Sequence, residues 1–181
     1  MSEFYFMLRF VILFITSFYS LSSLAQQLSK VPCSDSVYRQ FDFWIGEWEA
    51  YNLKGQKAGD SKIELILDSC IILENWTSAS VIKGLRYAGK SYNTYNAATK
   101  KWQQYWVDNM GGVTEYFNGH YENNKMILQT ENVKQSDGSF KIQKMTFFRL
   151  SPDKVRQLGE STTDDGKTWK TDFDLEYRRK K

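Results

Sequence analysis

The chain has 181 residues, of which 41% are hydrophobic and 25% charged, with 11 glycines, two prolines, two cysteines and one histidine. These figures exclude a disulfide-dense mini-protein, a collagen-like or low-complexity chain and a histidine-rich metal site, and they fit one globular domain. The 24 Lys and Arg residues exceed the 21 Asp and Glu residues by only three. Because both signs are spread along the chain, no nucleic-acid partner is expected.

The N-terminal 25 residues have the composition of an export signal. An apolar run over 10–19 follows Arg9, and the small residues after it fit a cleavage site with Ser23 and Ala25 at the −3 and −1 positions. The run is shorter than the roughly 20 residues of a membrane-spanning helix. We therefore predict a signal peptide over 1–25, a secreted or periplasmic product and no membrane association after cleavage.

Two alternatives remain open at this end. The apolar run could be retained as a membrane anchor instead of being removed. Translation could also start at Met7 rather than Met1, which would take the acidic Glu3 out of a region that is normally positive in a signal peptide. In the leading prediction the mature chain begins at Gln26.

Cys33 and Cys70 are the only two cysteines. In an oxidising compartment a pair of cysteines is bridged more often than free, so we predict a disulfide between them. Two separate buried thiols are the alternative. Two cysteines without a neighbouring histidine do not favour a metal site, and neither a metal nor a cofactor is expected.

A short helical segment is predicted after a polar lead over 26–36. Val37, Phe41 and Trp44 recur at the i, i+4, i+7 spacing of one or two helical turns, with Ser36 as the N-cap.

Beyond this segment the apolar residues recur with the period of two that is typical of strands. Ten such runs are separated by turn sequences such as Asp137-Gly138 and Asp165-Gly166, and they cover 47–53, 59–68, 70–79, 86–96, 101–108, 112–118, 125–133, 139–150, 154–163 and 167–179. About ten sequential antiparallel strands favour a single up-and-down, lipocalin-like β-barrel over 37–179, because closure removes exposed strand edges.

A Gly-x-Trp sequence, Gly46-Glu47-Trp48, opens the first strand directly after the helical segment. This arrangement resembles the start of lipocalin-type (calycin) barrels, in which the Trp packs over the closed end beneath a basic residue of the last strand. The resemblance implies that Trp48 pairs with Arg179 by a cation–π contact. A core Trp beside a turn is the simpler reading, and it is compatible with the same fold.

Residues 162–169 match the Asp-box pattern of sialidase-type propellers once. We predict that Asp164 accepts backbone N–H bonds across a turn, that Gly166 supplies a positive φ and that Trp169 packs under the hairpin. A propeller needs several copies and a longer chain, so this motif is interpreted as a structural hairpin.

Three strand faces combine polar and aromatic side chains. If these faces point inward, they form a partly polar, Trp-lined pocket for an unknown small molecule, whose candidate ligand-binding residues are Glu74, Trp76, Gln104, Trp106, Arg156 and Glu160. Buried charges must be paired. A salt bridge from Arg156 to Glu74 or Glu160 is therefore the alternative to a functional role.

His120 follows Gly119 in a predicted turn. Some calycin-like barrels hold haem through a single His, so haem binding is a third hypothesis, although a lone His beside a Gly is usually a surface residue.

The motifs FDFWIGEW at 41–48, KWxQxWVD at 101–108 and GKTW at 166–169 together resemble an exported, mostly bacterial family of unknown function with lipocalin-like barrels. The resemblance covers roughly 37–178. It implies a fold and export, and it implies no reaction.

These observations favour a binding protein without catalysis. The alternative is an isomerase, cyclase or hydrolase that uses Glu74 or Glu160 as its base. The two differ in one respect: a binder is expected to neutralise its carboxylates with Arg156, whereas an enzyme should hold one unpartnered carboxylate with a raised pKa.

Overall fold

The computed structural model describes residues 31–181, of which Cys33–Lys181 form one compact unit. The predicted signal peptide and residues 26–30 of the lead lie outside the described residues. No helix within 31–181 is long and apolar enough to cross a membrane.

Two short 3-10 turns, Ser36–Arg39 and Asp42–Trp44, precede the strands. The described part of the chain then contains β1 (Gly46–Asn52), β2 (Lys57–Ile66), β3 (Ile71–Ile82), β4 (Leu85–Asn96), β5 (Lys101–Asp108), β6 (Val113–Glu122), β7 (Lys125–Gln129), β8 (Val133–Lys134), β9 (Phe140–Ser151), β10 (Lys154–Thr162) and β11 (Lys170–Arg179). The bounds follow the predicted runs within a few residues.

Ten of these strands form a closed antiparallel barrel, which confirms the predicted fold. Their order is β10-β11-β1-β2-β3-β4-β5-β6-β7-β9, and β9 pairs with β10 to complete the ring. The odd-numbered strands from β1 to β5 run away from the end that holds the 3-10 turns. The connections β3–β4, β5–β6 and β10–β11 therefore lie together at the opposite end.

The predicted run 125–133 is divided in the structure. Thr130 takes part in the ladder through its side chain, because its Oγ1 accepts the Gln143 N–H at 2.9 Å while its own N–H donates to the Gln143 carbonyl at 2.9 Å. The chain then leaves the barrel, and β8 pairs with β9 alone.

The predicted helical segment differs in two details. It consists of two 3-10 turns rather than one α-helical face, and the residue before the first turn is Asp35, not the predicted cap Ser36. Between the turns, Phe41 has φ −103° and ψ 4°. This break allows the rings of both Phe41 and Trp44 to point into the barrel.

These two rings close one end of the barrel. Phe41 and Trp44 are completely buried and stack with centroids 5.1 Å apart. Phe147 of β9 packs against them at 5.0 and 4.5 Å, and Trp102 of β5 at 5.9 Å from Phe41. We call Phe41, Trp44, Trp102 and Phe147 the aromatic plug. Contacts between aromatic rings at such distances stabilise a core beyond their burial alone.

Trp48 and Arg179 lie directly beside the plug. The guanidinium carbon of Arg179 is 4.2 Å from the centre of the Trp48 ring, which is the contact implied by the calycin resemblance. Arg179 Nη1 also donates to the Ile45 carbonyl at 3.1 Å, and Trp48 Nε1 donates to the Trp44 carbonyl at 2.8 Å. The last strand is thereby connected to the segment that carries the plug.

The disulfide is present between Cys33 and Cys70, whose Cα atoms are 5.1 Å apart. It joins the start of the described chain to the turn between β2 and β3. Arg39 reinforces the same connection by donating to the Ser69 carbonyl. The alternative of two separate thiols is therefore wrong.

The Asp-box segment forms the β10–β11 hairpin. Asp164 Oδ1 accepts the Thr168 N–H at 2.9 Å, Asp164 Oδ2 accepts the Thr168 hydroxyl, and Gly166 has φ +84°. The hydroxyls of Thr162 and Thr168 hold the pKa of Asp164 well below its usual range. Trp169 packs against Gly166 and lies under the Lys144 ammonium, 3.9 Å from its ring centre.

Replacing Gly46 tests the connection between the first and last strands. Gly46 has φ +139°, and a Cβ there would collide with the Arg179 guanidinium. We expect Gly46→Ala to lower the free energy of unfolding by about 2–4 kcal/mol through backbone strain and this collision.

The collision, unlike the strain, should disappear when the arginine is absent. In an Arg179→Ala background the cost of Gly46→Ala should therefore be smaller by at least about 1 kcal/mol in a urea-unfolding double-mutant cycle. Strict additivity of the two substitutions would contradict the proposed coupling.

Candidate functional site

A cavity of about 340 Å³ occupies the half of the barrel beyond the plug and opens toward the β3–β4, β5–β6 and β10–β11 connections. Its size falls at the lower end of the range of small-molecule sites. Strands β3 to β6 and β9 to β11 contribute its lining, which consists of Glu74, Trp76, Tyr87, Gln104, Trp106, Asp108, Thr114, Tyr116, Gln143, Met145, Gln157, Phe173, Leu175 and Tyr177.

Glu74 is the most deeply buried charged side chain of the lining, with 2% of its surface exposed. Two serines hold its carboxyl from the neighbouring strands: Ser61 Oγ donates to Oε1 at 2.9 Å and Ser91 Oγ to Oε2 at 3.0 Å. Residues 74 and 91 lie directly opposite each other in the β3–β4 ladder. The carboxyl is therefore held in one orientation.

No cationic side chain in the described part of the chain pairs with Glu74. Burial raises its pKa to about 7, and the hydrogen bonds from Ser61 and Ser91 only partly oppose this effect. The carboxyl therefore exchanges its proton near neutral pH. It can accept a proton, donate one, or bind a charged partner.

Amide side chains extend the polar layer around Glu74. Asn93 Nδ2 donates to Ser91 Oγ at 3.0 Å, and Gln104 Nε2 donates to Asn93 Oδ1 at 2.7 Å. On the other side, the Tyr177 hydroxyl donates to Gln157 Oε1 at 2.7 Å. These hydrogen bonds pair the polar side chains around Glu74 with one another and so help to fix the position of its carboxyl.

Asp108 lies toward the open end, and its hydrogen bonds keep it ionised. Burial raises its pKa, but four donors outweigh that effect and hold the pKa below its usual value. The Gly112 and Met110 N–H groups donate to Oδ1, both at 2.9 Å, while Tyr87 Oη and Trp106 Nε1 donate to Oδ2 at 3.0 and 3.2 Å. The cavity thus has a second carboxylate without a cationic partner among its lining residues.

Three aromatic rings of the lining lie against glycines of adjacent strands. A Cβ at Gly59 would collide with Trp76, one at Gly89 with Trp106 and one at Gly159 with Phe173. Because glycine has no side chain, each ring can lie against the barrel wall instead of crossing the interior. The cavity owes part of its volume to these three glycines.

Four of the six candidate residues line the cavity: Glu74, Trp76, Gln104 and Trp106. The other two, Arg156 and Glu160, alternate with the inward residues of β10 and lie on the outer face of the barrel. Arg156 pairs with Asp174 through two hydrogen bonds of 2.8 and 2.6 Å, and Glu160 pairs with Lys144 at 3.0 Å.

The expectation that Arg156 and Glu160 line the pocket is therefore wrong. The period of two groups residues onto faces correctly, but it does not say which face is inside. On β10 the inner set is Val155, Gln157, Gly159 and Ser161, which is less conspicuous in the sequence than the charged set. The alternative, a salt bridge from Arg156 to Glu74 or Glu160, is also wrong, because Arg156 pairs with Asp174.

His120 lies in β6 rather than in a turn, and its side chain is half exposed, 4.0 Å from Glu122. Its neighbour Gly119 is the inward residue at this position. The imidazole therefore cannot reach a group bound in the cavity, and the haem hypothesis is not supported. Among the described residues, no cluster of three or more His, Cys, Asp or Glu side chains is placed to hold a metal ion.

Five residues that shape the site were not predicted from the sequence. Ser61 and Ser91 hold the carboxyl, and Gly59, Gly89 and Gly159 make room for the rings. The glycines could have been found from their shared property, since each interrupts a strand pattern near an aromatic residue of the next strand. The serines carry no such signal.

The chain matches no family model and no curated protein. Among solved structures it is similar to the S-type phycobiliprotein lyase CPES from Guillardia theta, with 14% identity over 86% of this chain and 98% of that chain and a TM-score of 0.48. A similarity of this size carries no argument about the ligand. The sequence resemblance to the exported family stays an expectation.

The pKa of Glu74 predicts how stability depends on pH. Between pH 4.5 and about 7 the folded protein keeps a proton on Glu74 that the unfolded chain releases, so rising pH favours unfolding. Below pH 4.5 the protonated carboxyl makes its full contribution to the free energy of unfolding, and this contribution is lost as the pH rises through about 7. Its size is about 3 kcal/mol.

We expect Glu74→Gln to remove this pH dependence, as measured by urea unfolding between pH 4 and 8. Glu160→Gln, which changes a carboxylate on the outer face, is the matched control and should keep the dependence of the original protein. If the free energy of unfolding of the two variants depends on pH in the same way, the pKa of Glu74 is not raised.

Proposed function

We propose that this protein binds a small molecule in the barrel cavity. The observation that carries the proposal is a cavity closed at one end by the aromatic plug and containing a fully buried carboxyl without a cationic partner. An unpaired ionisable group in an apolar interior is costly to stability. Its presence is explained if a ligand supplies the missing partner.

In this proposal Glu74 and Gln104 recognise the polar part of the ligand, while Trp76 and Trp106 contact its apolar part. All four line the same cavity, Glu74 and Trp76 from β3 and Gln104 and Trp106 from β5. Pockets of this kind combine mainly apolar walls with a few oriented polar groups.

We also propose that the protein acts outside the cytoplasm. The disulfide between Cys33 and Cys70 fits an oxidising compartment. The signal-like composition of residues 1–25, with a mature chain beginning at Gln26, supports the same compartment.

A second candidate is acid–base catalysis by Glu74. It is favoured by one specific observation, namely that the pKa of this carboxyl is near 7 and no cation accompanies it. A group with such a pKa can exchange a proton with a bound molecule at neutral pH. In this case Glu74→Gln should still bind the molecule but should accumulate it unconverted, which mass analysis of the bound species would reveal.

Native mass spectrometry of the protein purified from its own compartment tests the binding proposal. We expect a reproducible additional mass on the chain from Gln26 to Lys181. The additional mass should be lost in Trp106→Ala, which removes part of the wall, and in Thr114→Phe, which fills the cavity.

Trp169→Ala is the matched control, because Trp169 is not among the lining residues, and it should keep the additional mass. Circular dichroism would establish that each variant is folded. A bare protein mass, or an additional mass that persists in both folded cavity variants, would contradict binding at this site.

A further inference from the structure

The charges of the barrel are segregated between its two faces. The fourteen lining residues include two carboxylic acids, Glu74 and Asp108, and no Lys, Arg or His. Basic side chains of the lining strands pair with carboxylates on the outside, as Lys144 does with Glu160 and Arg156 with Asp174. The interior is therefore acidic although the whole chain carries a net charge of +3.

We propose that the ligand is a small organic cation, an apolar or aromatic body that carries a protonated amine. The inference rests on the proposed binding function and names its ligand class. An anionic ligand would meet two carboxylates with no counter-charge, which is unfavourable in a cavity of low dielectric constant.

Glu74 has acceptor capacity left for such a ligand. Each of its oxygens accepts one serine hydroxyl, at 2.9 and 3.0 Å. An ionised carboxylate offers about four acceptor positions. An ammonium group can therefore bind without displacing either serine.

Asp108 adds a fixed negative charge nearer the opening. All four of its donors are neutral N–H or O–H groups, so they stabilise the charge without cancelling it. A carboxylate at the mouth also attracts cations electrostatically before they reach Glu74.

The walls suit a cation as well. Trp76, Trp106 and Phe173 lie against glycines, which places aromatic rings along the cavity boundary. Aromatic faces attract ammonium groups, most strongly when water is excluded. The rings also suit a flat hydrophobic body, so charge and shape favour the same ligand class.

Binding should be coupled to the protonation of Glu74. The other titratable groups of the lining are Asp108 on β5, Tyr87 on β4, Tyr116 on β6 and Tyr177 on β11, while the lining residues of β9 and β10 are not titratable. Burial raises the pKa values of all three tyrosines, so they stay neutral near pH 7. A bound cation should ionise Glu74 and release a proton.

Three probes with one phenyl body separate the charge types: phenethylamine as the cation, 2-phenylethanol as the neutral analogue and phenylacetate as the anion. Isothermal titration calorimetry at pH 7.5 should rank the affinity for the amine above that for the alcohol by about tenfold or more, as one favourable charge interaction provides. Phenylacetate should bind more weakly than the alcohol.

Proton release gives a second readout. At pH 7, titrations in buffers of different ionisation enthalpy should show a net release of protons on binding of phenethylamine, because the raised pKa of Glu74 leaves part of its population protonated. The alcohol should release none. Glu74→Gln should prefer the amine over the alcohol by less than the original protein does and should release no proton, whereas the outer-face control Glu160→Gln should behave like the original protein.

Failure of this inference is distinguishable from failure of the proposed function. Tighter binding of the alcohol or of phenylacetate, or an unchanged amine preference in Glu74→Gln, overturns the cation proposal and leaves small-molecule binding intact. A neutral or anionic molecule that co-purifies and is lost in Trp106→Ala has the same meaning. Binding of none of the three probes together with a bare native mass overturns both proposals.

Discussion

The aromatic plug is the constraint on which the rest of the barrel depends. Phe41 and Trp44 can enter the barrel only because the N-terminal segment is held across its end, by the disulfide on one side and by the Arg179–Ile45 hydrogen bond on the other. A ten-stranded ring has more interior than its own strands fill. The plug fills one half with aromatic side chains, and the other half remains a cavity closed at its inner end.

The polar layer lines the cavity, and its burial explains its chemistry. Glu74 has only 2% of its surface exposed, so it is cut off from bulk water, and no cationic side chain among the described residues pairs with it. Ser61 and Ser91 fix its orientation but do not neutralise it. A group held in this way has a definite geometry and an unsatisfied charge, which are the two properties that a recognition site requires.

The lack of a cationic partner for Glu74 does not separate a binding protein from an enzyme. Neutralisation by Arg156 was expected of a binder, but that arginine lies outside the barrel and bonds Asp174. The unpartnered carboxyl therefore does not by itself indicate catalysis, because a cationic ligand would neutralise it equally well. The two roles differ in whether the bound molecule is released unchanged. This depends on whether Glu74 exchanges a proton with that molecule.

The sequence by itself determined the barrel, the presence of a short helical segment before it, the disulfide partners and four of the six side chains proposed for the site. These follow from local patterns: a period of two, turn residues between the runs, and two cysteines that have only each other as partners. Only the tertiary structure decided which face of β10 points inward, that His120 and Arg156 lie outside, and that Glu74 lacks a cation. The reason is physical, because the period of two repeats identically on both faces of a strand, and closure of the ring together with the plug selects which face is buried.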